Sequence, residues 1–376
     1  MTVLAADRIL TPHRIIDSGG WVSLERGLIA EVGPSRPPES ATRLTGTLVP
    51  GFVDIHCHGG AGAAFESADP EQVTAAARMH LHHGTTTLIA SLVSAERSQL
   101  EKQLATLVPM CEAGVIAGIH LEGPWLSLRY KGAHDPKALR DPSVAELNRL
   151  LDAGAGWIRM ITFAPERPGA LETIRACVAQ GVVAAVGHTD ALYRQVADAV
   201  DAGVTVATHL FNAMRPVHHR KGGPVTALSE APQVTVELIA DGIHLSPAVL
   251  GLARRASSNR VALVTDAMAA AGCGDGRYEL GSLAVEVQDG IARIVDGGAI
   301  AGSTLTMDAA VRYYTRTAGS GIVQAVTAAT NTPARALRLR DAGAIVPGAP
   351  ADLVLLDDTL TVRQVWRRGE PQLSGD

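Results

Sequence analysis

The sequence predicts a (β/α)₈ barrel with a small β-sandwich domain formed from both termini. Apolar segments that each precede a segment with helical spacing fill the middle of the chain, while short strands joined by turns fill its two ends. Continuous apolar strands that alternate with helices are typical of parallel sheets covered on both faces. Polar residues also gather where these apolar strands end, which is where barrel enzymes keep their active sites.

The predicted barrel strands occupy residues 48–58, 85–92, 115–122, 157–163, 182–188, 204–211, 234–241 and 260–266. Intervening segments such as 70–83, 95–113, 169–180 and 191–202 have helical spacing and usually end near a glycine, which commonly terminates helices. A doubly wound open sheet is the structural alternative. No GxGxxG motif follows the first strand to support the usual cofactor of that fold.

The two ends of the chain show hairpin patterns that predict one small domain. Residues 21–24 and 28–32 flank a turn at 25–27, and apolar strands are predicted at 352–356 and 361–366. We therefore predict a small β-sandwich domain from residues 1–48 and 345–376, and a barrel domain from residues 49–344. Residues 277–300 predict a hairpin insertion with a turn at Asp289-Gly290, and residues 306–337 are predicted to be helical.

Composition favours a soluble globular protein with a large core, since 47% of the 376 residues are hydrophobic and 19% are charged. A formal net charge of −5 argues against nucleic-acid binding. The four cysteines form no CxxC pair, so we interpret them as reduced thiols. The N-terminus lacks the features of a signal peptide, and no apolar run is long enough for a membrane span; we expect a cytoplasmic protein.

The polar strand ends predict a metal site. The first strand ends in an HxH pattern at His56 and His58, and the period-two alternation of a strand points both rings to the same side. A lone histidine at a strand end is more often structural, but several acids and imidazoles occupy equivalent ends: Glu122, His188, His209 and Asp266. Imidazoles with carboxylates suit a divalent ion such as Zn²⁺, or alternatively Fe²⁺.

Four other histidines are not expected to bind the metal. His120 shares strand parity with Glu122, so we expect it to point inward one layer below the site rather than to bind the metal. His80, His82 and His83 lie near the end of a predicted helix, where cations are favoured by the helix dipole. We expect these three to be surface or capping residues.

Seven motifs carry a resemblance to a known family: 50–59 (PGFVDIHCHG), 120–124 (HLEGP), 132–134 (GAH), 187–189 (GHT), 208–214 (THLFNAM), 241–244 (DGIH) and 265–267 (TDA). Together they resemble the N-acetylglucosamine-6-phosphate deacetylases of the amidohydrolase superfamily, and the likeness covers nearly the whole chain. The resemblance implies hydrolysis of N-acetylglucosamine 6-phosphate to glucosamine 6-phosphate and acetate, in amino-sugar catabolism and cell-wall recycling. It also implies a homodimer in which the neighbouring subunit can contribute to the phosphate pocket.

The resemblance implies a metal-ligand set. Glu122, His188 and His209 match the family's metal ligands, while His56 and His58 imply a second ion. One or two divalent ions are therefore expected, with two favoured and Zn²⁺ preferred over Fe²⁺. Many relatives bridge two metals with a carbamylated lysine on the fourth strand, but residues 157–163 contain no lysine. Glu122 would take the bridging position.

The resemblance also implies roles in catalysis and substrate binding. Metal-bound hydroxide attacks the amide, and Asp266 acts first as general base and then as general acid. His134 helps to polarise the acetyl carbonyl. The substrate-binding residues implied are His134, Asn212, Ala213, Arg220, His244, His219 and Leu305.

Three alternatives remain open from the sequence. The chain could be a deacetylase for N-acetylgalactosamine 6-phosphate, since nothing in the sequence separates the two sugar epimers. It could be another amidase of the superfamily, although the cationic loop 218–223 argues against a neutral cyclic amide as the substrate. Taken alone, that loop could also be an ordinary solvated one. A non-catalytic scaffold is the third alternative, but such proteins tend to lose metal ligands that are present here.

Overall fold

The computed structural model describes residues 2–12 and 14–372, and the middle of this chain forms an eight-stranded parallel sheet. Each strand pairs with the next one along the chain, as in a barrel. In chain order the strands are Phe52–Cys57, Thr85–Leu92, Gly118–Glu122, Ile158–Phe163, Val183–Val186, Val206–Ala207, Thr235–Ile239 and Val261–Val264.

The first and last strands meet at their C-terminal ends, so the sheet is a nearly closed barrel. The backbone N–H of Asp266 donates to the carbonyl of His56 at 2.9 Å, and the N–H of His58 donates to the carbonyl of Ala267 at 2.7 Å. Below this point the Asp54 carboxylate accepts hydrogen bonds from the amide and the hydroxyl of Thr265. The predicted (β/α)₈ fold is confirmed, and the strand ends that carry polar residues share one rim.

The predicted first strand, 48–58, is wrong at its beginning. Thr42–Pro50 is a strand of a different sheet, and the barrel strand begins only at Phe52. The chain passes from one sheet to the other at Gly51, where an added Cβ would lie 2.0 Å from Oγ1 of Thr86. The apolar pattern continues across this glycine without a break, so it does not mark the change of sheet.

Ten α-helices are described: Pro70–His82, Arg97–Glu112, Val144–Ala153, Ala170–Ala179, Tyr193–Asp201, Pro224–Glu230, Pro247–Ser257, Met307–Thr317, Ile322–Ala328 and Asn331–Ala336. Two 3₁₀ turns are also described: Phe65–Ser67 precedes the first helix, and Ser258–Arg260 follows the helix Pro247–Ser257. The segment 306–337 is helical as predicted, and it forms three separate helices. Its first break contains Gly319, whose φ of +66° belongs to the left-handed region and cannot continue a helix. None of the described helices has the length and apolarity to cross a membrane.

His80 is not the surface or capping residue that its position near a helix end predicts. It is fully buried on the same face of the helix as Val73 and Ala76. Its Nε2 donates to the carbonyl of Gly59 at 2.9 Å and lies 3.2 Å from Sγ of Cys57. Burial lowers the pKa of His80 to about 4, so the ring is neutral. The helical spacing of 73, 76 and 80 outweighs the polarity of the imidazole.

Strands from both ends of the chain form one seven-stranded sheet. In spatial order they are Glu370–Gln372, Val362–Arg367, Leu353–Leu356, Thr42–Pro50, Thr2–Leu10, Ile15–Glu25 and Leu28–Gly33. This sheet has its own hydrophobic core, which includes Ile9, Leu48 and Trp366. The boundary at 48/49 and 344/345 stays a prediction, and residues 1, 13 and 373–376 of that small domain lie outside the described chain.

The insertion after the last barrel strand has one strand more than the predicted hairpin. Gly276–Leu280, Leu283–Gln288 and Ile291–Ile294 form an antiparallel meander, with Asp289-Gly290 between its second and third strands. A further small ladder joins Gly59–Gly60 to Ala63–Ala64 after the first barrel strand. The meander packs through Leu280 and Val285 against Met268, so it is fixed beside the C-terminal rim of the barrel.

Candidate active site

A cavity of about 370 Å³ opens at the C-terminal rim of the barrel. The predicted strand-end residues form its floor: His58, Glu122, His188, His209 and Asp266. His56 lies directly beneath them and is fully buried. Residues separated by long stretches of sequence therefore meet at one place, because the closed sheet brings all the strand ends together.

Glu122 is the centre of the cluster. Its Oε1 lies 2.9 Å from Nε2 of His209 and 3.0 Å from Nε2 of His188. Its Oε2 lies 3.3 Å from Nε2 of His58 and 3.3 Å from Nε2 of His134. One carboxylate thus contacts imidazoles from several strand ends and from the loop that follows its own strand.

The hydrogen bonds of His188 indicate that its Nε2 carries no proton. Burial lowers the pKa of His188 to about 4, and its Nδ1 lies 3.0 Å from the carbonyl of Tyr130, which can only accept. The single proton of the neutral ring is therefore on Nδ1. The bare Nε2 faces Oε1 of Glu122 at 3.0 Å and Nε2 of His209 at 3.0 Å. An unprotonated imidazole nitrogen that faces a carboxylate oxygen at this distance fits a cation bound between them.

The HxH pair and Asp266 form a second group, in which positive charge on the imidazoles or on a metal would balance the carboxylate. Nε2 of His56 and Nε2 of His58 lie 3.1 Å apart, and Oδ1 of Asp266 is 3.4 Å and 3.3 Å from them. Burial alone would lower the pKa of His58, but the hydrogen bonds with Asp266 and Glu122 raise it to about 9. Protons supply the charge when no metal is bound, and a metal can replace them. The ligand atoms of His56, His58 and Asp266 lie close enough together to hold a divalent cation, and so do those of Glu122, His134 and His188.

Glu237, which was not among the residues predicted from the sequence, orients this site from below. Its Oε2 accepts from Nδ1 of His56 at 3.0 Å and from the backbone N–H of His209 at 3.1 Å. A carboxylate that holds the far nitrogen of an imidazole fixes the tautomer and turns the other nitrogen toward a metal. The available signal was a single acid inside an apolar strand, Thr235–Ile239, where it is fully buried.

His120 also lies beneath the site, as its strand parity predicts. Its Nδ1 bonds to Oγ of Ser91 at 2.9 Å, and its Nε2 bonds to Oγ1 of Thr162 at 2.9 Å. Both ring nitrogens are therefore occupied by hydroxyl groups. Burial and the positive charge at His56 hold the pKa of His120 well below its ordinary value, so the ring is neutral.

His134 presents a proton to the cavity. The backbone N–H of Ser94 donates to Nδ1 of His134 at 3.2 Å, so this nitrogen is an acceptor. A neutral ring then carries its proton on Nε2, which lies beside Glu122 in the cavity lining. The loop that holds His134 passes close to the cluster: a Cβ on Gly132 would lie 3.0 Å from Cε1 of His188.

Three floor residues have strained backbones. His188, His209 and Asp266 have φ values of 47°, 28° and 48°, in the left-handed region that non-glycine residues rarely adopt. Such strain persists only where surrounding contacts determine it, and it is concentrated at functional sites. Here it turns the side chains at the strand ends toward a common point.

The predicted substrate-binding residues fall into two groups. Asn212, Ala213 and His244 line the cavity together with His134. Nδ1 of His244 lies 2.6 Å from Oδ2 of Asp241; burial alone would lower the pKa of His244, but this contact raises it. The remaining three do not line the cavity: His219 and Arg220 are exposed on the 218–221 turn, and Leu305 is buried elsewhere.

Several cavity residues were missed by sequence reasoning. Arg129 and Tyr130 line the cavity from the loop after Glu122, and Arg129 donates to Asp190 at 3.2 Å. The opposite wall includes Leu280 from the meander and Ile300 from the segment that follows it. The positive charge of Arg129 just beyond the HLEGP motif was an available signal. No local pattern indicates that the meander covers the rim.

Comparison with known proteins places the chain in a family. The amidohydrolase family model matches residues 47–372. N-acetylglucosamine-6-phosphate deacetylase from Bos taurus is 38% identical over 339 residues, covering 86% of this chain and 82% of its own length. N-acetylgalactosamine-6-phosphate deacetylase from Escherichia coli O157:H7 is 35% identical over 372 residues, covering 96% of this chain and 98% of its own length.

A solved structure is similar over almost the entire chain. It is an aspartate-to-alanine mutant of N-acetyl-D-glucosamine-6-phosphate deacetylase from Mycobacterium smegmatis in complex with N-acetyl-D-glucosamine-6-phosphate. It matches with a TM-score of 0.96 and 47% identity, and covers 98% of each chain. The chain therefore belongs to the amidohydrolase family and, within it, to the N-acetylglucosamine-6-phosphate deacetylases, as its motifs predict.

Proposed function

We propose that the protein hydrolyses the N-acetyl group of N-acetylglucosamine 6-phosphate, giving glucosamine 6-phosphate and acetate. The observation that carries this proposal is the convergence of Glu122, His188 and His209 on one point of the cavity floor. The names of its relatives support the same substrate class. Such a reaction would serve amino-sugar catabolism and cell-wall recycling.

We propose two ion positions, with Zn²⁺ as the ion because imidazole and carboxylate ligands suit it. Glu122, His188 and His209 would hold one ion, and His56 with His58 would hold the other, with Glu122 between them. When bound, a divalent cation lowers the pKa of a coordinated water toward about 7 and polarises a carbonyl oxygen.

Asp266 is the residue that we propose to move the proton. Burial alone would raise the pKa of Asp266, but the positive charge at His56 and His58 holds it well below its ordinary value. The carboxylate is therefore ionised and can accept a proton from the attacking water. Asp266 then delivers this proton to the amide nitrogen, because an amine leaves readily only when it is protonated.

His134 stabilises the charge that develops during the reaction. When the water oxygen adds to the acetyl carbon, the carbonyl oxygen becomes negative, and the Nε2–H of His134 is placed to donate to it. The C–N bond then breaks. The acetyl group leaves as acetate, and the sugar leaves with a free amine.

The phosphate end of the substrate would lie toward Asn212, Ala213 and His244. The raised pKa of His244 favours the imidazolium form, which attracts a phosphate. Arg220 and His219 lie on an exposed turn outside their own cavity, so we propose that they reach the cavity of a neighbouring subunit in a homodimer. Leu305 would contribute through packing, since it is buried.

Replacing Arg220 with alanine is expected to raise KM for the phosphorylated sugar by about tenfold or more, with little effect on N-acetylglucosamine. A guanidinium that binds phosphate contributes only when the phosphate is present. Steady-state kinetics on both sugars measure the difference. Arg175→Ala, which removes an exposed arginine from another helix, is the matched control. Equal losses on both sugars would rule out Arg220 as the phosphate anchor.

Mixed dimers test whether Arg220 acts on the neighbouring subunit. In a dimer of one Arg220→Ala subunit and one Asp266→Asn subunit, the site of the Arg220→Ala subunit is intact. It keeps its own Asp266 and receives Arg220 from the other subunit. We expect such hybrids to recover about half of wild-type activity at low substrate, where each parent is weak. Hybrids with the low activity expected from averaging the parents would contradict a contribution from the partner.

Replacing Glu237 with glutamine is expected to weaken metal binding by about 10- to 100-fold. The neutral side chain of glutamine lacks the negative charge with which Glu237 accepts from Nδ1 of His56 and from the backbone N–H of His209. Competition with a chromogenic chelator measures the affinity. The exposed Glu172→Gln is the control, with an expected metal affinity equal to that of the wild type. Unchanged affinity in Glu237→Gln would show that Glu237 does not orient the metal ligands.

Acetate release by the purified protein tests the proposed function. We expect release from N-acetylglucosamine 6-phosphate, loss of release after treatment with a chelator, and recovery when Zn²⁺ is restored. The same assay on N-acetylgalactosamine 6-phosphate shows which of the two epimers is preferred. The names of the relatives include deacetylases of both. Activity that survives complete metal removal would refute the proposed mechanism, and a higher kcat/KM on the galactosamine epimer would change the substrate assignment.

A further inference from the structure

A second cavity, of about 520 Å³, lies at the opposite end of the barrel from the candidate active site. The N-terminal ends of the barrel strands contribute Thr86, Ala117 and Arg159 to its wall. The wall also includes residues 337–342, Arg367 at the end of a terminal-sheet strand, and Arg368 in the turn that follows. It shares no lining residue with the catalytic cavity, so a ligand could occupy it independently of the substrate.

The charge of this cavity is strongly positive. Five guanidinium groups line it against the two carboxylates of Asp341 and Asp352: Arg159, Arg338, Arg340, Arg367 and Arg368. This is an excess of three positive charges in a chain with a formal net charge of −5. Like charges gathered in a concave wall create a local potential that concentrates anions.

These guanidinium groups lack carboxylate partners. Within residues 2–12 and 14–372, none of the five forms an ion pair, whereas Arg140 and Arg215 at the catalytic end are each paired with an acid. Nε of Arg159 is buried and has no hydrogen-bond partner among the described residues. The positive charges of the five groups are therefore not balanced by carboxylates within the described residues, and an anion in the cavity would balance them.

The walls of the cavity also hold the guanidinium groups in place. Arg159 lies over the ring of Trp157, with its Cζ 5.2 Å from the ring centroid, and Arg367 donates to the carbonyl of Gly114. Ile116 and Leu339 add apolar surface beside them. Planar guanidinium groups match the oxygens of a phosphate in bidentate geometry, and the apolar surface suits a small organic body attached to it.

We propose that this cavity is a second anion site, which binds a phosphate dianion that is free or carried by a small organic molecule. The guanidinium groups of the cavity would donate hydrogen bonds to the oxygens of the phosphate. It lies where the barrel meets the small domain, because Arg159 belongs to the fourth barrel strand and Arg367 to the terminal sheet. A bound anion would connect these two parts of the chain through shared hydrogen bonds.

Calorimetric titration of the metal-loaded enzyme with inorganic phosphate, at constant ionic strength, tests the site. The double variant Arg338→Gln with Arg340→Gln removes two exposed guanidinium groups from the wall. We expect phosphate to bind this variant at least about tenfold more weakly than the wild type. Arg175→Gln, which lies outside the cavity, should bind phosphate like the wild type. Glucose 6-phosphate in a parallel titration distinguishes a phosphate ester from the free anion as the preferred ligand.

Phosphate at the catalytic cavity is measured separately, as inhibition of acetate release, and its inhibition constant should be the same in the double variant and the wild type. Equal phosphate affinity of the double variant and the wild type by calorimetry would overturn the proposal. The proposal would also be overturned if the wild type bound only one phosphate per chain, with a dissociation constant equal to the inhibition constant of phosphate. That result would mean that phosphate binds at the catalytic cavity alone. If the double variant does not fold, Arg159→Gln gives the same test at the buried donor. The calorimetric result does not depend on the proposed substrate.

Discussion

Replacing Asp266 with asparagine is expected to lower kcat by about 100-fold or more while the protein keeps its metal. Asparagine retains an oxygen close to His56 and His58, which lie 3.4 Å and 3.3 Å from Oδ1 of the aspartate. It cannot take a proton from water, and it cannot return one to the departing amine. Stopped assays of acetate release, together with metal analysis of the same sample, measure both quantities.

A nearby carboxylate outside the cavity provides the control for Asp266. Asp135 follows His134 in the same loop, where its Oδ2 accepts from Oγ of Ser282. Asp135→Asn should therefore retain kcat within about twofold, as most surface substitutions do. Near-wild-type turnover in Asp266→Asn would refute the proton-transfer role. A parallel loss of metal in that variant would instead assign Asp266 to metal binding.

Replacing Glu122 with glutamine is expected to reduce both metal content and activity by about 100-fold or more, a larger effect than that of Glu237→Gln. Both oxygens of Glu122 contact imidazole nitrogens: Oε1 contacts His188 and His209, and Oε2 contacts His58 and His134. Glutamine removes the negative charge and turns an N–H₂ group toward one of these pairs. Mass-spectrometric metal analysis after dialysis measures the loss.

The three carboxylate variants separate three roles for acids in one site. Glu122→Gln should lose metal and activity together, Asp266→Asn should lose activity alone, and Glu237→Gln should regain activity when excess Zn²⁺ is supplied. Circular dichroism and the Tm of each variant control for unfolding. Full metal content in folded Glu122→Gln would contradict the central position that we assign to this residue.

The barrel was predictable because its strands are apolar on both faces, and several of them end at a polar residue. His56, Glu122, His188 and Asp266 were found for this reason, since a polar residue at the end of an apolar run is visible in the sequence alone. Glu237 was missed because it lies inside such a run and supports the site from below. His80 was predicted to be a surface or capping residue because it lies near a helix end, but the spacing of Val73, Ala76 and His80 places it on the buried face.

Features that depend on distant parts of the chain could not be predicted from local patterns. The break between Pro50 and Phe52 follows from the pairing of Thr42–Pro50 with Leu353–Leu356, far away in the sequence. The contribution of Leu280 to the cavity wall depends on where the meander packs. The exposed position of Arg220 reflects the fold of one subunit, and its proposed role requires a second one.

The terminal sheet has a consequence for biosynthesis. Thr42–Pro50 lies between Thr2–Leu10 and Leu353–Leu356, so one edge of this strand acquires its partner only after the ribosome has synthesised the whole barrel. During translation that edge presents unpaired amides and carbonyls, the form in which strands associate with other chains. The nascent chain should therefore require protection by chaperones until its last strands emerge, and a premature stop before Leu353 should yield aggregated rather than merely inactive protein.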